Sequence, residues 1–122
     1  MKKTIVFLLL STLCFAQTSK HNELVEEGKL TAYITENGSV IKVDQYIKIG
    51  FPWNKEYFTF LTQGNDKVDS KLTNAIVKID GIKVFKLYNG FLKAYIVSKS
   101  FGAIPLYIDI ESAIEKKEIV TQ

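Results

Sequence analysis

The chain is predicted to be mainly β: a small antiparallel β-barrel or curled sheet, SH3-like or related, with a short C-terminal helix. Three features carry that prediction. Apolar residues recur with a period of two through most of residues 29–98. Turn-forming pairs, Asn37-Gly38, Asp80-Gly81 and Asn89-Gly90, divide these runs at hairpin-like intervals. The period shifts to that of a helix only after Asp109.

Element by element, Leu30, Ala32 and Ile34 alternate with Thr31, Tyr33 and Thr35, which predicts one half-buried strand. Asn37-Gly38 then forms a tight turn, because both residues tolerate positive φ, and residues 40–43 return as its partner strand. Ile41, Val43, Ile47, Ile49 and Phe51 keep one parity across a turn at Asp44 and are assigned a shared inward face. Gly50, Pro52 and Asn54 interrupt the pattern before a strand over 57–61, with Phe58 and Phe60 inward. The polar run from Gln63 to Lys71 reads as a loop.

Residues 72–98 read as a meander of three antiparallel strands, with core faces Ala75, Val77 and Ile79, then Ile82 and Val84, then Leu92, Ala94 and Ile96. Phe85, Leu87, Tyr95 and Val97 fall on the opposite face. Apolar residues on both faces favour a curled or covered sheet over one open to water. After a turn at Phe101-Gly102-Ala103, Pro105 is expected to confine a strand over 106–108 to a sheet edge. Asp109 then suits a helix N-cap, Ile110, Ala113 and Ile114 share a face, and Lys116 and Lys117 complement the C-terminal dipole.

The first sixteen residues have the layout of a secretory signal peptide. Lys2 and Lys3 precede an apolar run from Ile5 to Leu13, and Ala16 offers a small residue for cleavage. The run is about half of the roughly 20 residues that a membrane-spanning helix requires. The expected organisation is therefore a signal peptide over 1–16, a flexible leader over 17–28 and a single β-rich domain over 29–120, with a secreted or periplasmic location and no transmembrane segment after cleavage.

Cleavage removes Cys14, the sole cysteine, so disulfides, a Cys nucleophile and a thiolate metal site are excluded from the mature domain. It also leaves 14 lysines against 13 acidic residues, a net +1, with a surplus of +5 over residues 29–107 and −2 on each flank. There is no arginine. Without its planar fork, a dedicated nucleic-acid reader is not expected.

Histidine is the usual acid, base and metal ligand near neutral pH, yet His21 in the leader is the single one. Nothing in its spacing to Ser39, Ser70, Ser98, Ser100 or Ser112 builds a nucleophilic triad. Asn65, Asp66 and Asp69 lack the alternation of oxygen ligands that a calcium loop needs. Glycines 81 and 90 are turn glycines, so no phosphate loop is present. No catalytic residue, metal or cofactor is assigned.

The candidate ligand-binding residues are Trp53, Tyr46, Tyr57 and Phe51, an aromatic group interspersed with Lys48 and Lys55. Such rings stack on sugars or grip peptides at low entropic cost. Two segments, Val43 to Gly50 and Tyr107 to Ile119, resemble small secreted proteins of unknown function from Bacteroidetes, although Asp44 lacks the glycine that usually precedes it there. The resemblance implies a bacterial envelope setting and a compact β domain ending in a helix. The expected function is an exported, non-enzymatic binding or interaction module for a glycan or peptide. The alternative is a small hydrolase drawing two carboxylates from Glu36, Asp44, Glu56 and Asp80.

Overall fold

In the computed structural model, which describes residues 18–20, 23–24 and 26–121, the chain is mainly β with one short helix. The expected signal segment and His21 lie outside the described residues. The strands are β1 (Thr18–Lys20), β2 (Gly28–Leu30), β3 (Ala32–Ile34), β4 (Val40–Lys42), β5 (Tyr46–Ile49), β6 (Tyr57–Gln63), β7 (Asp66–Asp69), β8 (Ile76–Lys78), β9 (Gly81–Lys86), β10 (Leu92–Ser98), β11 (Leu106–Asp109) and β12 (Ile119–Val120). Helix α1 spans Ile110–Glu115. The strands form three sheets, ordered β1-β3-β4, β2-β9-β10-β11-β6-β7 and β12-β5-β8, and the described residues do not close into one barrel. One buried cluster, with Tyr33 and Ile41, Ile47 and Val77, and Ile82, Ile96 and Ile108, joins all three.

The Asn-Gly hairpins form where expected, but as three-residue loops, Glu36-Asn37-Gly38 and Tyr88-Asn89-Gly90, in which the glycine and not the asparagine takes positive φ. Thr35 N–H donates to Ser39 O at 2.9 Å, Gly38 sits at φ +90°, and β3 pairs antiparallel with β4. Leu87 and Phe91 close the β9–β10 hairpin, with Gly90 at φ +89°. The turn at Asp44 is also present, with φ +72° and its N–H bonded to Ile79 O.

Several expectations are corrected. The strand expected through residues 30–34 bends at Thr31, so β2 joins the six-stranded sheet through β9 and β3 joins the first sheet. That break lets Tyr33, assigned outward by parity, become fully buried opposite Ile41. Within the stretch expected to be a leader, Thr18–Lys20 pairs parallel with β3. The polar run at 63–71 forms a hairpin strand, not a loop. Gly64 at φ +62° and Asn65 make a two-residue turn, and Val68, opposite Phe58, is the one side chain of β7 that the core needs.

The three-stranded meander is a hairpin plus a strand from elsewhere. β8 pairs with β5, and Asp80-Gly81 is a corner between sheets. β11 is interior, between β10 and β6, because Pro105 precedes the strand and its missing N–H falls outside the ladder. Helix α1 buries Ile110 and Ala113 as expected, but Asp109 at its N-cap makes no side-chain capping bond. Its carboxylate turns to Lys93 instead.

The C-terminus of α1 explains how the chain returns to the core. Lys117 N–H donates to Ile114 O and Glu118 N–H to Ala113 O, with Lys117 at φ +62°. This is a Schellman motif carrying lysine where glycine is usual. It aims Glu118 inward and releases β12 alongside β5.

Candidate functional site

The aromatic segment after β5 is held by a carboxylate distant in sequence. Between Phe58 and Thr62, β6 bulges away from β7, so Thr59 and Phe60 lose ladder partners. The completely buried Glu118 supplies them, its Oε2 accepting Thr59 N–H at 2.8 Å and Oε1 accepting Phe60 N–H at 2.7 Å. Oε2 also accepts Trp53 N–H at 2.7 Å, tying the β5–β6 loop to the same point. Three charge-assisted bonds offset the desolvation of a buried carboxylate. Gly50 is required where this loop leaves β5, since a Cβ there would lie 2.2 Å from Lys117 O.

All four candidate aromatics face solvent. Tyr46 and Phe51 are each 66% exposed, Trp53 58% and Tyr57 39%, which corrects the inward assignment of Phe51. Phe58 is buried and Phe60 half-buried, as parity predicts. Phe51 turns outward because Gly50 and Pro52 end the strand before its parity applies.

They do not converge on one surface. Tyr46 lines a cleft of about 180 Å³ with Val40 of β4, and Phe51 lines another of about 410 Å³ with Ile114. The two clefts share Lys48, Val120 and Thr121, so Tyr46 and Phe51 belong to one continuous strip. Trp53 lines neither, and Lys116 Nζ lies over its ring at 4.4 Å from the centroid. Tyr57 is on the six-stranded sheet, opposite Asp69, with Lys67 Nζ 5.4 Å from its ring centroid. The strip lies beside two sheet edges, β4 and β12, each hydrogen-bonded to a strand on one side only.

The acids considered for hydrolysis are dispersed. Asp44 is 3.8 Å from Lys78, Asp80 accepts the Lys99 N–H at 2.6 Å, and neither Glu36 nor Glu56 lines any of the five principal clefts among the described residues. Asp69 caps a 3-10 turn by accepting Lys71 N–H at 2.9 Å. No cluster of three metal-ligating side chains occurs among the described residues.

One serine does meet a lysine. Lys93 Nζ donates to Asp109 Oδ2 at 2.7 Å and to Ser112 Oγ at 3.3 Å. Burial opposes the Lys93 charge, but the hydrogen bond to Asp109 and its negative charge prevail and hold the ammonium above its ordinary range. This ion pair, with the Ser112 hydroxyl beside it, ties β10 to the start of α1. Burial, then Asp109, raises the neighbouring Tyr95 hydroxyl. Tyr33, whose hydroxyl donates to Glu111, is raised further by burial and then by that bond.

Sequence reasoning missed Glu118, which sits in an Ile-Glu-Lys-Lys-Glu-Ile run that reads as a solvated helix face. It also missed Tyr88 and Phe91, whose signal was legible: large aromatics flank Asn89-Gly90 at a hairpin tip, where polar residues are usual, and both are strongly exposed. Comparison with protein-family models, with curated proteins and with solved structures found no match to this chain.

Proposed function

We propose that the protein is an exported, non-enzymatic interaction module of the bacterial envelope, built on a small β scaffold of the SH3-like or related kind, and that it binds an extended peptide. The observation that carries this reading is the continuous strip from Tyr46 to Phe51 beside the edges of β4 and β12. Edge strands offer unpaired backbone groups to an added strand, while clefts flanking the edge take alternate side chains. Tyr46, Phe51 and Val120 supply apolar contact, and Lys48 favours a peptide with an acidic residue. A glycan stacked on the same rings is the competing ligand. The signal-like N-terminus and the resemblance to secreted Bacteroidetes proteins support the location.

Peptide and glycan arrays probed with the mature protein test the reading. A peptide ligand should be found, and Tyr46→Ser and Phe51→Ser should each weaken it by roughly tenfold. Glycans alone on the arrays, or a peptide whose affinity ignores both substitutions, would overturn it. Export is tested separately by fractionating cells that express the full chain.

A further inference from the structure

We propose that the outer face of the six-stranded sheet carries a second site, for an acidic saccharide bearing carboxylates. The cross-strand register aligns Lys29 of β2, Lys83 of β9 and Tyr95 of β10 in one row on that face. Directly opposed like charges destabilise a strand pair. Among the described residues neither Lys29 nor Lys83 has an ion-pair partner, whereas Lys93 on the same face is neutralised by Asp109.

Two clefts meet at this pair. One, of about 310 Å³, runs over Val43 and Val97 to Lys99, and the other, of about 320 Å³, runs to Phe85. Lys29 and Lys83 line both, so the clefts form one trough with these two lysines where the clefts meet and Lys99 toward one end. Asp80, on the wall near Lys99, has one carboxylate oxygen engaged by the Lys99 N–H, and Glu27 rims the far end. Alongside, Phe85 packs edge-on against Tyr95 and Tyr107 at 5.5 and 6.0 Å, keeping the rings fixed.

The chemistry selects the ligand class. Ammonium groups on flexible stems bind carboxylates as point charges, and the apolar floor fits the C–H face of a sugar ring. A bilayer is disfavoured because the most exposed aromatics, Tyr88 and Phe91, stand at the hairpin tip and do not line the trough. A nucleic acid is disfavoured because no arginine is available to fork a phosphate. The inference does not rest on the peptide reading, which concerns residues of other strands.

Titration of the mature protein with tetragalacturonate, followed calorimetrically and by backbone amide shifts, tests the site. Binding should shift amides of Lys29, Lys83 and Val97, weaken with added salt, and vanish for the methyl-esterified tetramer. The double variant Lys29→Gln/Lys83→Gln should bind at least about tenfold more weakly, and Tyr46→Ser should bind normally. Should the double variant misfold by circular dichroism, Lys29→Gln alone, at an exposed position, should still weaken binding about threefold. No binding, binding indifferent to these lysines, or equal affinity for single-stranded DNA or anionic phosphatidylglycerol vesicles would each overturn the proposal.

Discussion

The Tyr46–Phe51 strip and the outer face of the six-stranded sheet both set aromatic rings beside lysines, yet they are held by different means. The strip continues into a loop tied to one carboxylate, Glu118, about sixty residues away in sequence. The sheet face is held by regular registers across β2, β9, β10 and β11, and its rings brace one another. A single substitution should therefore disorganise the first, while the second should yield only in small steps.

The largest expected effect is at Glu118. Glu118→Gln keeps the shape but sets an amide NH₂ against a backbone N–H that the carboxylate accepted, and removes the charge from the remaining bonds. A loss of about 3 kcal/mol is expected in urea denaturation, since breaking a buried charged network leaves donors unsatisfied. A loss below about 1 kcal/mol would show that the β5–β6 loop and the bulge in β6 are not held through this residue.

Next is Gly50→Ala. The added methyl meets backbone, Lys117 O, at 2.2 Å and has no flexible neighbour to displace, so β12 must shift from β5. We expect a cost of about 2–3 kcal/mol and a fall in Tm of at least about 10 °C by calorimetry. An unchanged Tm would mean that the seam between β5 and the C-terminus is looser than the geometry indicates.

How much of this was legible in the sequence divides along the same line. Asn37-Gly38 and Asn89-Gly90 announced their hairpins, and Ile110, Ala113 and Ile114 announced the helix, because those signals are local. The interruption by Gly50, Pro52 and Asn54 was legible, and Trp53 within it is exposed. Partner choice was not legible: β8 was assigned to β9 by proximity along the chain, but its ladder is with β5, thirty residues earlier. Tyr33 was misplaced because a kink at Thr31 resets parity, and no residue there advertises a kink. Glu118 could not be distinguished from its solvated neighbours, since what buries it is a bulge in β6 and a Schellman turn built on lysine rather than glycine.

A smaller effect is expected at Tyr33→Phe, which joins neither surface but fixes α1 to the first sheet through Glu111. Loss of this bond should cost about 1–1.5 kcal/mol at neutral pH, moderated because Glu111 also accepts the Glu36 N–H at 3.2 Å. The sign of the pH dependence follows from the raised hydroxyl. Above about pH 10 the unfolded tyrosine ionises while the folded one stays protonated, so the unfolded state binds fewer protons and stability falls as pH rises. The decline should approach about 1.4 kcal/mol per pH unit for this group. Denaturation at pH 10–11.5 should show a shallower decline for Tyr33→Phe, with Tyr95 and Lys93, both raised in the folded state, contributing to what remains; identical slopes would remove Tyr33 from the account.

The smallest effect, at Lys29→Glu, separates stability from binding on the sheet face. Lys29 lies directly opposite Lys83, so a glutamate there replaces repulsion with attraction across β2 and β9. The folded state should gain about 0.3–0.5 kcal/mol, the size of an exposed cross-strand charge pair, and the gain should shrink in high salt. The same substitution cancels the positive charge where the two clefts meet, leaving Lys83 paired with the new carboxylate, and should abolish uronate binding. A variant that is slightly more stable and no longer binds would identify the opposed lysines as a functional feature retained against stability. A variant that loses stability would mean that Lys29 and Lys83 do not repel across the two strands, and the row of lysines would then carry no cost for binding to explain.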